Sequence, residues 1–373
     1  MKIAIVGGGV AAFEAATAAR RQDAAAEITL YSREAVPPYR RPALSGMVAH
    51  ELDESRFLIK DAAFYAQEGI VLRLGTEVAA LNVAERTLEL ADGGDESFDQ
   101  LVLATGARPF VPPVPGFDGA GVAVLRDYSD LEKLRARLAG GACRKAAVLG
   151  GGVLGLELAA SLLECGVEVT VVEGAPVILP RNLDAEAGRA VMEYLKNVPN
   201  LGLCFGVSAV GWDGGKLALS DGTAVEADLC CVSAGVRANT KLAAEAGLPC
   251  GRGITVDEAM RVPGFDGIYA AGDAAECNGQ GCGLYNTARA MGKTAGTNAA
   301  GGSAVFAPEA TPVRLAVFGL KIFSAGDVSG AGEGGGDAAN YRKLFYDATG
   351  RLCGAILMGN LSDALKLQSE IAR

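Results

Sequence analysis

Two stretches of this 373-residue chain have the residue types and spacing to hold the phosphates of a dinucleotide. The first is IVGGGVAAFEAA, residues 5–16, with Gly7, Gly9 and Ala12; the second is VLGGGVLGLELA, residues 148–159, with Gly150, Gly152 and Gly155. In such a G-x-G-x-x-small run the first glycine makes a tight turn. The second has no side chain, so backbone N–H groups can approach a pyrophosphate. The third small residue lets the following helix pack on the strand, and the helix N-terminus adds unsatisfied donors and a positive dipole end. Each run needs a preceding apolar strand, and KIAIV and KAAVL supply them. After the second copy a strand ends in Glu173, 23 residues beyond Gly150, where an acid accepts from ribose hydroxyls and repels a 2′-phosphate. The first copy's second strand, EITLYS, ends in Ser32, with Glu34 two positions on as the substitute acid.

Two further segments belong to the same pattern. LVLATGARP is an apolar strand closed by Thr105 and Gly106 and followed by Arg108, and GIYAAGDAAE carries Gly272 and Asp273 ahead of a helix-like stretch that starts near Tyr285. The order of these four pieces resembles the FAD-dependent pyridine nucleotide oxidoreductases, and most closely their NADH:rubredoxin oxidoreductase members. The resemblance implies that the first glycine run, with Ser32, Glu34, Arg41, Thr105, Gly106 and Arg108, binds FAD. It implies that Gly272 and Asp273 reach the flavin ribitol and that the helix from Tyr285 aims its N-terminus at the flavin. The second run would bind NADH as co-substrate, with Glu173 favouring it over NADPH and Glu157 beside the nicotinamide. On that reading Glu157 and Tyr285 are the catalytic candidates.

Missing residues narrow the reaction. Among nine cysteines there is no C-x-x-C, the helix AAFEAATAARR has no thiol, and His50 is the one histidine. The disulfide-reducing relatives need two cysteines and a C-terminal histidine base. Peroxidase-like relatives carry a cysteine near ALSGM, residues 43–47, where this chain has Ser45. Cys230 and Cys231 read as core residues, and Cys277 and Cys282 as loop thiols. Without a cysteine relay, electrons leave the flavin directly, to a small one-electron carrier such as rubredoxin or to dioxygen. Three functions stay open: an electron transferase, an NADH oxidase making hydrogen peroxide, and an NADH-sensing flavoprotein. A nitrite-reducing subunit is disfavoured, since the cysteine clusters of iron–sulfur or sirohaem domains are lacking. PPYRRPALSG resembles a stretch of ferredoxin and rubredoxin reductases, with Gly46 where several relatives have lysine. Arg40 and Arg41 offer cations for docking an acidic carrier, and Arg41 alternatively faces the FAD phosphates.

The elements that must position these residues follow from the pattern. The reading is α/β: two Rossmann-like dinucleotide-binding domains with three-layer parallel sheets, plus a small C-terminal α+β domain. Residues 1–108 and 236–303 form a discontinuous FAD-binding domain, 109–235 the NADH-binding domain, and 304–373 a cap or interface domain. ESRFLIKDAAFYAQEG is expected as a helical insert and SGAGEGGGD as a flexible loop. A net charge of −10 argues against nucleic acid, no apolar run reaches membrane-spanning length without a charge, and no metal-ligand spacing is present. The direct entry from Met1 into a buried-strand pattern reads as a start without signal peptide, hence reduced thiols and a cytoplasmic setting. Nothing in the sequence indicates the oligomeric state.

Overall fold

Runs of aliphatic residues alternate with alanine- and leucine-rich stretches, and they become strands and helices in that order in the computed structural model, which describes residues 1–51, 53–307 and 311–371. The chain begins with β1 (Lys2–Val6), α1 (Val10–Gln22), β2 (Glu27–Tyr31), the single turn α2 (Leu44–Met47), β3 (Ile70–Arg73) and β4 (Gln100–Leu103). It continues through β5 (Val122–Ala123), α3 (Tyr128–Leu138), β6 (Lys145–Leu149), α4 (Val153–Glu164), β7 (Glu168–Glu173), α5 (Ala185–Leu195), β8 (Leu201–Phe205) and β9 (Leu229–Val232). Then come β10 (Ile268–Ala270) and α6 (Tyr285–Ala299), and last β11 (Val313–Val317), β12 (Leu320–Gly326), β13 (Gly332–Asp337), β14 (Asn340–Tyr346), β15 (Leu352–Met358) and α7 (Ala364–Ile371).

These elements divide into two compact units. The first takes residues 1–43, 53–108 and 236–307, and its parallel sheet runs β10-β4-β1-β2-β3. The central strand is apolar along its length because both faces are covered; Ile3 and Ile5 are buried. Helices α1 and α6 pack together unusually closely. A Cβ placed on Gly292 or Gly296 would lie 2.2 or 2.0 Å from the backbone oxygen of Ala11 or Ala15. Alanines on one helix and glycines on the other therefore bring the two backbones into contact.

The second unit takes residues 44–51, 109–235 and 311–371. Its parallel sheet runs β8-β7-β6-β9-β5, with α4 packed on β6 and β7. The antiparallel sheet β11-β12-β15-β14-β13 belongs to the same unit and is covered by Ala364 and Leu367 of α7. Polar ties fasten this sheet to the α5 region. Lys343 Nζ lies 2.7 Å from Asp184 and 2.6 Å from Glu186, and Tyr194 donates to the Phe318 carbonyl at 2.9 Å. Residues 44–51, which lie in sequence between pieces of the first unit, pack here against α3 and α4.

The insert at 54–69 is helical as expected, in two short helices, Glu54–Phe57 and Ala62–Gln67, because Leu58 bridges to Tyr39 and Asp61 starts the second by accepting from the Phe64 N–H. One local expectation, the flexible loop at 329–337, is corrected. The glycine-rich segment at 329–337 contains the edge strand β13. It pairs with β14 through backbone groups alone, and Gly334 and Gly336 adopt φ of 106° and 139°, which side-chain-bearing residues avoid.

The α1–α6 contact yields a prediction. Gly296→Val forces the helices apart and should lower stability by about 1–3 kcal/mol, read as a lower unfolding midpoint by circular dichroism. The same change at Gly301, whose Cβ would meet nothing within 4 Å, tests only the strain of its positive φ.

Candidate functional site

In the first unit, Gly7 holds φ of +144°, and its Cβ would strike the Ala104 oxygen at 2.0 Å; the strand-to-helix turn itself demands glycine there. Ala12 is buried under the helix. Gly9 differs from both. It starts α1 with an ordinary φ of −97°, and its Cβ would find only Arg41 Nε, 4.0 Å away. No side chain caps α1 and no acid sits in its first turn. The fold gives no reason for Gly9, whereas an anion close to the helix N-terminus does.

Ser32, Glu34 and Arg41 converge on this loop. Ser32 is fully buried and donates to the Glu34 carbonyl at 3.1 Å. The Glu34 carboxylate accepts from Tyr39 OH at 2.6 Å and pairs with Arg41, which also donates to Tyr39 OH at 2.9 Å. The remaining candidates are placed differently. Thr105 donates to the Asn239 carbonyl at 2.8 Å, and Asn239 returns a bond to the Thr105 carbonyl at 2.9 Å. Gly106 takes φ of +69°. Arg108 is exposed and donates to the Ala238 carbonyl at 3.2 Å. Arg40 is exposed too, and its guanidinium donates to the carbonyls of Arg56 and Leu58, so it braces its own loop while keeping its charge.

Gly272 ends β10's turn with φ of +71°, and its Cβ would lie 2.8 Å from Ala11 Cβ. That brings Asp273 close to the start of α1. Helix α6 opens at Tyr285 with no side-chain cap. Burial pushes the Tyr285 hydroxyl up, with Arg289 and Arg40 pulling against it. Arg289 is itself tied to Glu14 of α1 at 2.7 Å. Cys282 lies beside Asp273, and burial followed by that carboxylate pushes its thiol up to about 12. Cys277, expected on a loop, is buried in the short strand Ala275–Cys277. Tyr39 and Asn239 escaped sequence reasoning. Tyr39 stands within PPYRRP and had a signal in its neighbours; Asn239 had none.

The second unit repeats the logic. Gly150 takes φ of +119° with the Ser233 oxygen 2.4 Å from its Cβ position, and a Cβ on Gly155 would meet the Gly150 oxygen at 2.0 Å. Gly152, at the start of α4, has φ of −80° and nothing within 4 Å. Glu173 accepts from the Gly151 N–H at 2.7 Å through one oxygen and from the Ala175 N–H at 2.8 Å through the other. Each oxygen keeps a further lone pair, so two ribose hydroxyls can be accepted. Glu157 is half-buried and accepts from Ser45 Oγ at 2.9 Å; burial pushes its carboxyl up, and the Ser45 bond opposes the push. The donor sets thus fit dinucleotides: FAD against Gly9 and Arg41, NADH against Gly152 and Glu173. Among the described residues no group of His, Cys, Asp and Glu is arranged for a metal, and no helix is long and apolar enough to cross a membrane.

The family model for pyridine nucleotide-disulphide oxidoreductases matches residues 1–292, and the model for the rubredoxin NAD+ reductase C-terminal domain matches residues 312–373. The rubredoxin-NAD(+) reductase of Pseudomonas putida is 34% identical over 281 residues, which cover 74% of this chain and 72% of that protein. The NAD(P)H nitrite reductase of Bacillus subtilis (strain 168) is 33% identical over 360 residues, 93% of this chain and 44% of that protein. The chain therefore spans less than half the length of the nitrite reductases it matches. Among solved structures, the NAD-dependent persulfide reductase from A. fulgidus superposes with a TM-score of 0.90 at 27% identity, covering 100% of this chain and 76% of that one. NADH:rubredoxin oxidoreductase from Clostridium acetobutylicum gives 0.81 at 25% identity, covering 99% and 94%.

The two open glycines separate fold from ligand. Gly9→Val and Gly152→Val should fold with unchanged circular dichroism. Gly9→Val should lose bound FAD, its visible absorbance falling about tenfold or more, and Gly152→Val should weaken NADH binding by about tenfold with FAD retained. Retention of both ligands in both variants would show that these glycines are not phosphate contacts.

Proposed function

Because the chain belongs to the pyridine nucleotide-disulphide oxidoreductase family, we propose that it takes hydride from NADH and passes electrons one at a time to a small carrier protein such as a rubredoxin, without a redox-active cysteine. Bound FAD supplies a hydride acceptor that can release electrons singly. The protein's part is to bind, orient and set charge. Gly9, the α1 N-terminus and Arg41 hold the pyrophosphate; Asp273 holds the ribitol; the open N-terminus of α6, with Tyr285 on its first turn, favours negative charge in front of it. Glu173 anchors the adenosine ribose of NADH and disfavours a 2′-phosphate.

One observation supports the cysteine-free route above the rest. Position 45, where a relay thiol would be needed, carries a buried serine bonded to Glu157. Thiols elsewhere are poor substitutes: burial pushes Cys230 and Cys282 up to about 12, so both stay protonated at neutral pH. The match of the C-terminal residues to the rubredoxin reductase domain favours a small iron–sulfur carrier. Arg40 is the cation we assign to its docking, since an acidic carrier is steered by a local positive charge on a protein of net charge −10. A second acceptor, a separate nitrite-reducing partner, is favoured by the nitrite reductase match over 93% of the chain.

The test is anaerobic reduction of the FAD-loaded protein by NADH in a stopped-flow instrument, followed by mixing with rubredoxin, a [2Fe–2S] ferredoxin, a nitrite-reducing partner or dioxygen. Rapid reduction with fastest reoxidation by rubredoxin is expected, and that rate should fall as salt rises. Fastest reoxidation by dioxygen would make the protein an oxidase, and slow reduction with a long-lived complex would make it a sensor. Cys282→Ser should reduce rubredoxin at close to the parent rate. Glu173→Ala should raise KM for NADH by about tenfold with kcat nearly unchanged, as loss of a uniform binding contact requires.

A further inference from the structure

The segment 44–51 is held in the second unit from several sides. Leu44, Ser45, Met47 and Val48 are buried. Arg135 of α3 donates to the carbonyls of Met47 at 2.8 Å and His50 at 2.9 Å. His50 Nε2 lies 2.9 Å from Glu164 at the far end of α4. An exposed loop would not need such anchoring. Its consequence is to fix Ser45 Oγ 2.9 Å from Glu157 Oε2 on α4.

Glu157 is five residues beyond Gly152, about 7.5 Å along the helix axis. That is within a Debye length at physiological salt, and half-burial weakens screening further. Charge on this carboxyl therefore acts on a nucleotide bound at the glycine loop even without touching it. Resting on the reading of that loop as the NADH site, we infer that Ser45 is a positioning residue that controls ionisation of Glu157, and that ionised Glu157 favours NAD+, whose nicotinamide ring is positively charged, whereas its protonated form favours NADH, whose ring is neutral.

The neighbours leave the Ser45–Glu157 pair as the local control. From α3, Arg135 is engaged with the two carbonyls; from 44–51, His50 is paired with Glu164, two turns from Glu157. From β7, Glu173 is bonded to Gly151 and Ala175. From β11, which also packs on α4, Arg314 lies over the Phe323 ring and donates to Gln368. Burial of Glu157 favours the acid, and the Ser45 hydroxyl, by donating to the carboxylate, favours ionisation. The sign follows. As pH rises through the raised folded-state pKa of Glu157, affinity for NAD+ increases; as pH falls below it, that part of the affinity is lost. The chemical sense is that a site whose charge follows the proton can hold NADH before hydride leaves and weaken its hold on NAD+ at lower pH.

The experiment is calorimetric titration of NAD+ into the oxidised, FAD-loaded protein, and of NADH into the dithionite-reduced protein. Buffers of different ionisation enthalpy, over a pH series that starts in the ordinary carboxylate range and runs upward from it, report protons exchanged on binding. NAD+ should release protons and bind about fivefold more tightly at the alkaline end, whereas NADH should take protons up. Glu157→Gln, which keeps shape and removes the titration, should abolish the difference. Ser45→Ala should move the pH of maximal release up by about one unit, and Ser45→Thr, which keeps the hydroxyl, should restore it. A role in packing alone would not move that pH. Equal proton release in the parent and Glu157→Gln proteins overturns the inference while leaving the proposed function standing, as does a Ser45→Ala profile that does not shift. Failure of both nucleotides to bind overturns the proposed function and this inference together.

Discussion

Two helices that begin at glycine without a capping side chain set the conditions for everything else. No side chain accepts from the leading N–H groups of α1 and α4, whereas Asp127 and Asp184 accept from N–H groups at the start of α3 and α5. A helix end kept open beside a glycine that the backbone does not need suits an anion, and the chain has two such ends. Polar groups surround both loops. Tyr39, Glu34 and Arg41 bond one another beside the first loop, and Glu173 is fixed by two backbone donors beside the second.

The second constraint is what burial does to titratable groups. The thiols are numerous, yet those deepest in the protein are held protonated by desolvation, which suits packing and opposes relay chemistry. The same effect on Glu157 has a different outcome, because a hydroxyl is supplied to oppose it. At position 45 the chain has a serine, whose hydroxyl donates to that carboxylate and, on our inference, sets its charge where the co-substrate binds.

Legibility from sequence followed locality. Glycine spacing, the strand before each run and the acid at the end of β7 are short-range features, and the parallel sheets follow from them because a strand–helix–strand unit has one favoured hand and packing. The edge strand β13 was misread because its pairing uses only backbone, and glycine-rich sequence carries no side-chain pattern to announce it. The insert at 54–69 read as helical because its composition is helical throughout; the bridge between Tyr39 and Leu58 that divides it into two helices is a contact across 19 positions. Arg40 read as a cation for docking, and its bonds to the carbonyls of Arg56 and Leu58 became visible only with the loop in place.

The sequence by itself determined the two glycine runs, the strand and helix order around them, the carboxylate at the end of β7, and the absence of cysteine at position 45. These are properties of neighbours along the chain, where a few residues fix the local backbone. The tertiary structure decided which glycines the fold itself requires and which stand in open space, since that depends on what stands across from each Cβ. It also decided that residues 44–51 leave their sequence neighbours and pack on α3 and α4. The meeting of Ser45 with Glu157, 112 positions apart, follows from that packing, because hydrogen bonds between distant residues are set by the burial of apolar surface around them and not by spacing along the chain.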